Sequence, residues 1–137
     1  MEHKWDSSLE VGYEPIDNQH KQLFEAICEL IDNFEGDHTG DQLRKSMDFL
    51  NNYTIKHFFD EEQIQQKYKY PDFPNHKKLH DGFKEVVKEF SHRLILEGAS
   101  KELAEEVRKK IYDWLINHIK IQDKKLGIHL KSTGITG

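Results

Sequence analysis

The sequence predicts an all-α protein, an antiparallel up-down-up-down four-helix bundle with an N-terminal extended arm. Three observations predict it. Apolar residues recur in steps of three and four along four long stretches. Short breaks containing Gly, Pro and small polar residues separate those stretches. No segment carries a clear strand pattern. Helices of roughly 17 to 28 residues joined by short loops pack as antiparallel neighbours.

The arm, residues 1–17, contains Gly12 and Pro15, which oppose helix, and Val11, Tyr13 and Ile16, which are available for packing. The first helix spans residues 18–34, with Leu23, Phe24, Ile27, Leu30, Ile31 and Phe34 on its apolar stripe, and residues 35–40 end it with two glycines. The second spans residues 41–68 and carries Leu43, Met47, Leu50, Tyr53 and Ile64. Pro71 and Pro74 then forbid continuation, because each lacks an amide donor and restricts its predecessor. The third spans 75–97 with Leu79, Phe83, Val86, Val87, Phe90 and Leu94, and Gly98 stops it. Ser100 is the expected N-cap of the fourth, 100–126, which continues the stripe through Leu103, Val107, Ile111, Trp114, Leu115 and Ile119. Residues 127–137 read as a loose tail, and 1–137 as a single domain.

Composition narrows the class. With 36% hydrophobic and 33% charged residues, 8 Gly and 3 Pro, the 137-residue chain is globular rather than disordered or collagen-like. No apolar run approaches the ~20 residues that cross a bilayer, and the first residues lack the apolar stretch of a signal peptide. A cytoplasmic protein with no membrane partner is expected. Cys28 is the single cysteine, which excludes an internal disulfide and a cysteine-only zinc site. A net charge of -5 argues against nucleic acid as a partner.

The nine histidines are the unusual feature. His57 and Glu61 are four apart and share a helix face with Tyr53 and Ile64, so they point inward. His76 and His80 are also four apart, in line with Phe83 and Val87. His118 follows Leu115 on the fourth stripe, and His20 sits one turn before Leu23 and Phe24. Any one inward histidine is ordinarily a hydrogen-bonded core residue. Together, five histidines and a carboxylate exceed a mononuclear site of about four ligands, whereas two metals sharing bridging carboxylates would use them all. Asp123 lies five residues after His118, about 140° around an ideal helix. A π-type turn would bring the two within about 50°; otherwise Asp123 is a solvated carboxylate among Lys120, Lys124 and Lys125. Spacing leaves both readings open. His3, His38, His92 and His129 read as exposed.

The chain resembles the hemerythrins, in particular the single-domain bacterial members, over nearly its whole length. The residues that carry the resemblance are Trp5-Asp6, Ile16-Asp17-Asn18-Gln19-His20, His57-Phe58-Phe59-Asp60-Glu61-Glu62, Tyr70-Pro71, His76-Lys77-Lys78-Leu79-His80, and the run from Trp114 to Asp123. The resemblance implies a non-haem di-iron centre: one iron on His76, His80 and His118, the other on His20 and His57. Glu61 and Asp123 would bridge the two irons with a solvent-derived oxo or hydroxo group. It also implies that Asp123 is a ligand. Phe58, Trp114, Leu115 and Ile119 would form an apolar oxygen pocket beside the open position of the two-histidine iron. Gln65 departs from the family, many bacterial members having methionine there.

The function implied is reversible dioxygen binding for transport, storage or delivery, by a monomer that is not an enzyme. Two ferrous ions supply the two electrons that reduce bound dioxygen, and five neutral imidazoles do not favour O–O cleavage. No Glu-x-x-His motif of the oxygen-activating bundles occurs at a ligand position. An oxygen or redox sensor, or a di-iron enzyme acting on peroxide or nitric oxide, is the alternative. An oxygen-consuming enzyme or a signalling protein would be the partner.

Overall fold

The computed structural model describes residues 5–35 and 40–134. The loop predicted around Gly36, together with His3, His38 and residues 135–137, lies outside the described residues. Four long helices form the bundle, and no strand occurs among the described residues. They are α1 (Glu14–Glu35), α2 (Gly40–Lys67), α3 (Phe73–Glu97) and a fourth, segmented rod. That rod consists of α4 (Lys101–Val107), a π segment (Arg108–Tyr112), α5 (Asp113–His118), a second π segment (Ile119–Asp123) and α6 (Lys124–Ser132). Helical φ and ψ persist at every joint, so the rod is continuous. Neighbours in the bundle are α1 with α2, α2 with α3, and the fourth rod with both α1 and α3. Their predicted apolar stripes bury Leu23, Ile27, Leu50, Phe83, Val87, Ile111 and Leu115 in one core.

Three boundaries differ from the sequence reading, each for a local reason. Helix α1 starts at Glu14 rather than at 18, because Pro15 sits in the first turn, where its missing N–H has no helical acceptor to lose. Helix α3 likewise starts at Phe73, with Pro74 in its first turn. The supposed tail is helical through Ser132, with Leu126, Gly127 and Leu130 buried.

The arm explains the last correction. It opens with a 3-10 turn, Ser7–Leu9, capped by Asp6, that packs on the second π segment. Leu9 and Val11 are buried, and the Asp17 carboxylate accepts the N–H groups of Val11 at 2.8 Å and Gly12 at 3.2 Å. The arm crosses α6 at Gly127, where a Cβ would meet the Val11 carbonyl oxygen at 2.2 Å. Glycine is required there for close approach. Ser100 caps the fourth rod as predicted, its Oγ accepting from Leu103 N–H at 3.0 Å.

Candidate metal centre

All seven residues singled out by the sequence converge in the bundle interior, and all are buried. Helix α1 contributes His20, α2 contributes His57 and Glu61, α3 contributes His76 and His80, and the fourth rod contributes His118 and Asp123. Their donor atoms form two groups, Glu61 with His76, His80, His118 and Asp123, and Glu61 with His20 and His57; within each group the atoms lie within 4.8 Å of one another. Glu61 belongs to both. Its Oε1 is 3.0 Å from His76 Nε2 and 3.4 Å from His80 Nε2, and its Oε2 is 3.2 Å from His57 Nε2 and 3.4 Å from His20 Nε2. Asp123 spans the groups in the same way, with Oδ1 at 2.9 Å from His76 Nε2 and Oδ2 at 3.0 Å from His20 Nε2.

The second π segment decides between the two readings of Asp123. Ile119–Asp123 winds as a π turn, and the wider turn brings Asp123 Oδ1 to 3.2 Å from His118 Nε2. Asp123 is buried, and the solvated-surface alternative fails.

The charges show what the cluster lacks. Burial opposes the charged forms of His20 and His76, but the Asp123 and Glu61 carboxylates outweigh it and hold these imidazoles up to about 9 and about 10. Burial lowers His57, and Glu61 does not restore it. Burial would raise the Glu61 carboxyl, yet the imidazoles around it hold it well below the usual range. For Asp123, burial and the charge of Glu61 push upward, and His118 and His20 override them. Two buried carboxylates thus demand positive charge, from protons or from metal.

The donor directions favour metal. His20 Nε2, His57 Nε2, Glu61 Oε2 and Asp123 Oδ1 make no aligned hydrogen bond, although each lies 3.4 Å or less from an oppositely charged neighbour. Within each group the donor atoms crowd to within 4.8 Å of one another, and only the His118 Nε2 contacts with His76 Nε2 at 3.1 Å and His80 Nε2 at 3.2 Å pair the rings. Imidazole nitrogen with carboxylate oxygen is a donor set suited to iron, so the residues fit a metal pair.

The aromatic residues expected near the site pack directly on its imidazoles. Phe58 stacks on His80 with centroids 3.8 Å apart, and Trp114 stacks on His118 at 4.4 Å and on Phe83 at 4.1 Å. These ring faces fix imidazoles of the larger group, although Phe58 also reaches His57 at 5.5 Å. Leu115 and Ile119 are buried in the core. His92 is exposed as expected, but His129 is part-buried, its Nε2 2.8 Å from the Tyr68 carbonyl oxygen.

Sequence reasoning assigned no role to three supporting groups. The Glu62 carboxylate lies 2.9 Å from His80 Nδ1, and Gln19 Oε1 lies 2.9 Å from His57 Nδ1. The buried Gln65 brings its Nε2 to 3.5 Å from Glu61 Oε1. Metal-binding histidines need a partner for the second ring nitrogen, and that rule was the available signal: Gln19 and Glu62 adjoin predicted ligands.

Comparison with known proteins agrees with this geometry. Residues 11–127 match the family model described as the hemerythrin HHE cation binding domain. This chain belongs to the hemerythrin family. It is 35% identical over 123 residues to the myohemerythrin of Theromyzon tessulatum, covering 90% of this chain and 89% of that protein. To the bacteriohemerythrin of Pseudomonas aeruginosa (strain LESB58) it is 32% identical over 120 residues, covering 87% and 75%. A solved wild-type hemerythrin superposes with a TM-score of 0.81 at 29% identity, covering 95% of this chain and 98% of that one. Hemerythrins bind a di-iron centre, and the buried His/Glu/Asp cluster suits iron.

Proposed function

We propose that this hemerythrin binds dioxygen reversibly at its di-iron centre, for transport, storage or delivery, and does not turn it over. The observation that carries the reading is the sharing of Glu61 by both groups of buried donors. His76, His80 and His118 would hold one iron, His20 and His57 the other, with Glu61 and Asp123 shared between the two. When bound, the metal pair would supply the two electrons that dioxygen binding draws on and release returns.

The chain's own residues do the rest. Phe58 and Trp114 hold the His80 and His118 rings by face-to-face packing, and Leu115 and Ile119 add apolar walls that exclude water. These four residues would form the oxygen pocket. Among the described residues, no helix is long and apolar enough to cross a membrane. The reading takes the chain as one unit, a monomer working in the cytoplasm, where a single cysteine is unremarkable. An oxygen-consuming enzyme or a signalling protein would receive the oxygen or the signal.

The test is the visible spectrum of iron-loaded protein, reduced without oxygen, exposed to air and deoxygenated again. A charge-transfer band that appears with oxygen and disappears on its removal is expected. A single irreversible change to an oxidised form overturns the carrier reading and promotes the redox sensor. Sustained turnover of peroxide or nitric oxide promotes the enzyme.

A further inference from the structure

His57 sits at the inner end of a hydrogen-bonded chain that reaches the surface. Its Nδ1 is 2.9 Å from Gln19 Oε1. Gln19 Nε2 donates to Asp60 Oδ2 at 2.9 Å, and Lys56 Nζ donates to the same oxygen at 2.8 Å. An amide has one donating and one accepting end, whereas an ionised carboxylate only accepts. Asp60 therefore takes the NH2 end of Gln19 and leaves the carbonyl end for His57. An acceptor in that position requires hydrogen on Nδ1. A neutral imidazole carries one N–H, so Nε2 keeps its lone pair and faces the interior, 3.2 Å from Glu61 Oε2.

The lock has a competitor to overcome. The same Glu61 oxygen, close to Nε2 but not aligned with it, becomes an acceptor after a small ring rotation for the opposite tautomer, in which Nε2 carries the hydrogen and is unavailable to a metal. The other half of the site is built differently, with His80 Nδ1 against the Glu62 carboxylate at 2.9 Å. One half is backed by a full anion, the other by a neutral amide whose orientation depends on an anion further out.

We propose that Gln19 is the positioning residue of the two-histidine half-site: oriented by Asp60, it holds His57 in the Nδ1–H tautomer and keeps Nε2 free for the metal. The inference rests on the di-iron reading for the identity of the metal alone, because the tautomer is a property of the protein before metal is added.

The experiment reads the His57 tautomer by long-range 15N–1H correlation in metal-free protein at neutral pH, and zinc affinity by chelator competition. The wild type is expected to show Nδ1–H. Gln19→Leu removes the acceptor, moves His57 toward Nε2–H and weakens one of the two zinc equivalents about 10–100-fold, the other staying within about twofold. Asp60→Ala frees the amide to rotate and gives a smaller shift in the same direction. Gln19→Glu keeps an acceptor and restores Nδ1–H, which separates positioning from a general packing defect. A Gln19→Leu protein that keeps Nδ1–H, or loses both zinc equivalents alike, overturns the proposal. An unchanged tautomer in Asp60→Ala overturns the Asp60 step and needs no Gln19→Leu protein. Failure of the dioxygen reading would appear in the iron spectrum and leave these results standing.

Discussion

Gly127→Ala tests how the arm is held on the bundle. Helix propensity alone predicts a gain, since alanine inside a helix is favoured over glycine by about 0.5–1 kcal/mol. Packing predicts the opposite. The new Cβ would lie 2.2 Å from the Val11 carbonyl oxygen and 3.1 Å from its carbonyl carbon. Those are backbone atoms, and the backbone there is tied by the Asp17 carboxylate to the N–H groups of Val11 and Gly12. Relief requires the arm to shift away from α6. Overpacking of this kind costs about 1–3 kcal/mol. Full release would add up to about 1.5–3 kcal/mol for each of the buried Leu9 and Val11 side chains. Partial displacement, less the propensity gain, leaves a net loss of about 2–4 kcal/mol.

At this chain length that corresponds to a fall in Tm of about 6–12 °C. Urea unfolding followed by far-UV circular dichroism gives the free energy, and a thermal scan gives the Tm. Gly82→Ala is the control: Gly82 also lies within a helix, and a Cβ there meets nothing within 4 Å. It should be neutral or stabilising by up to about 1 kcal/mol. If the two variants have the same stability, the arm is not packed against α6 as described, and the close-approach argument is refuted.

Three further outcomes are expected. His20 and His76 are held up to about 9 and about 10 in the metal-free protein, against about 6.5 when unfolded. Their contribution is therefore complete below pH ~6.5 and lost as pH rises through those values, so metal-free protein should lose stability between about pH 7 and 10. Zinc-loaded protein should show no such loss, and metal uptake should release protons, measured with a pH indicator. Ser100→Ala removes the acceptor for Leu103 N–H and should cost about 0.5–2 kcal/mol in urea unfolding. Burial, with Asp32 and Glu25 nearby, pushes the Cys28 thiol up to about 11; its alkylation at neutral pH should be far slower than that of a free thiol and accelerate on unfolding.

Much of the buried cluster was legible because its candidate ligands come in helical pairs. His57 with Glu61 and His76 with His80 each sit four apart, and a four-residue step on an apolar stripe places both side chains inward whatever the helix ends do. The boundaries were less legible, because Pro15, Pro74 and Gly127 carry two meanings each. Proline opposes a helix interior but suits its first turn, and glycine that reads as a breaker in a tail also marks a backbone crossing. The supporting groups were hidden for a different reason. Gln19 reaches His57 from another helix, and no periodicity within one helix reports a contact across two. Which imidazole Phe58 and Trp114 each cover was hidden likewise, because it depends on the rotation of whole helices.

Asp123 shows how far helix rotation governs this site. The inward residues of the fourth rod, Leu103, Val107, Ile111, Leu115, Ile119 and Asp123, recur at every fourth position and are all buried. An ideal α-helix turns about 100° per residue, so a four-residue step overshoots by about 40° and five steps by about 200°. Asp123 would then face almost opposite to Leu103. Each π segment accommodates one extra residue in a turn, taking up about 100° of that drift, and two π segments take up about 200°. The rod contains two, Arg108–Tyr112 and Ile119–Asp123. The second brings Asp123 into line with His118 locally. The first, just before α5, keeps Leu115 and Ile119 on the same face as Leu103 and Val107. A strictly α-helical rod with this sequence would leave Asp123 about 140° away from His118, and no rotation of it could turn both candidate ligands inward.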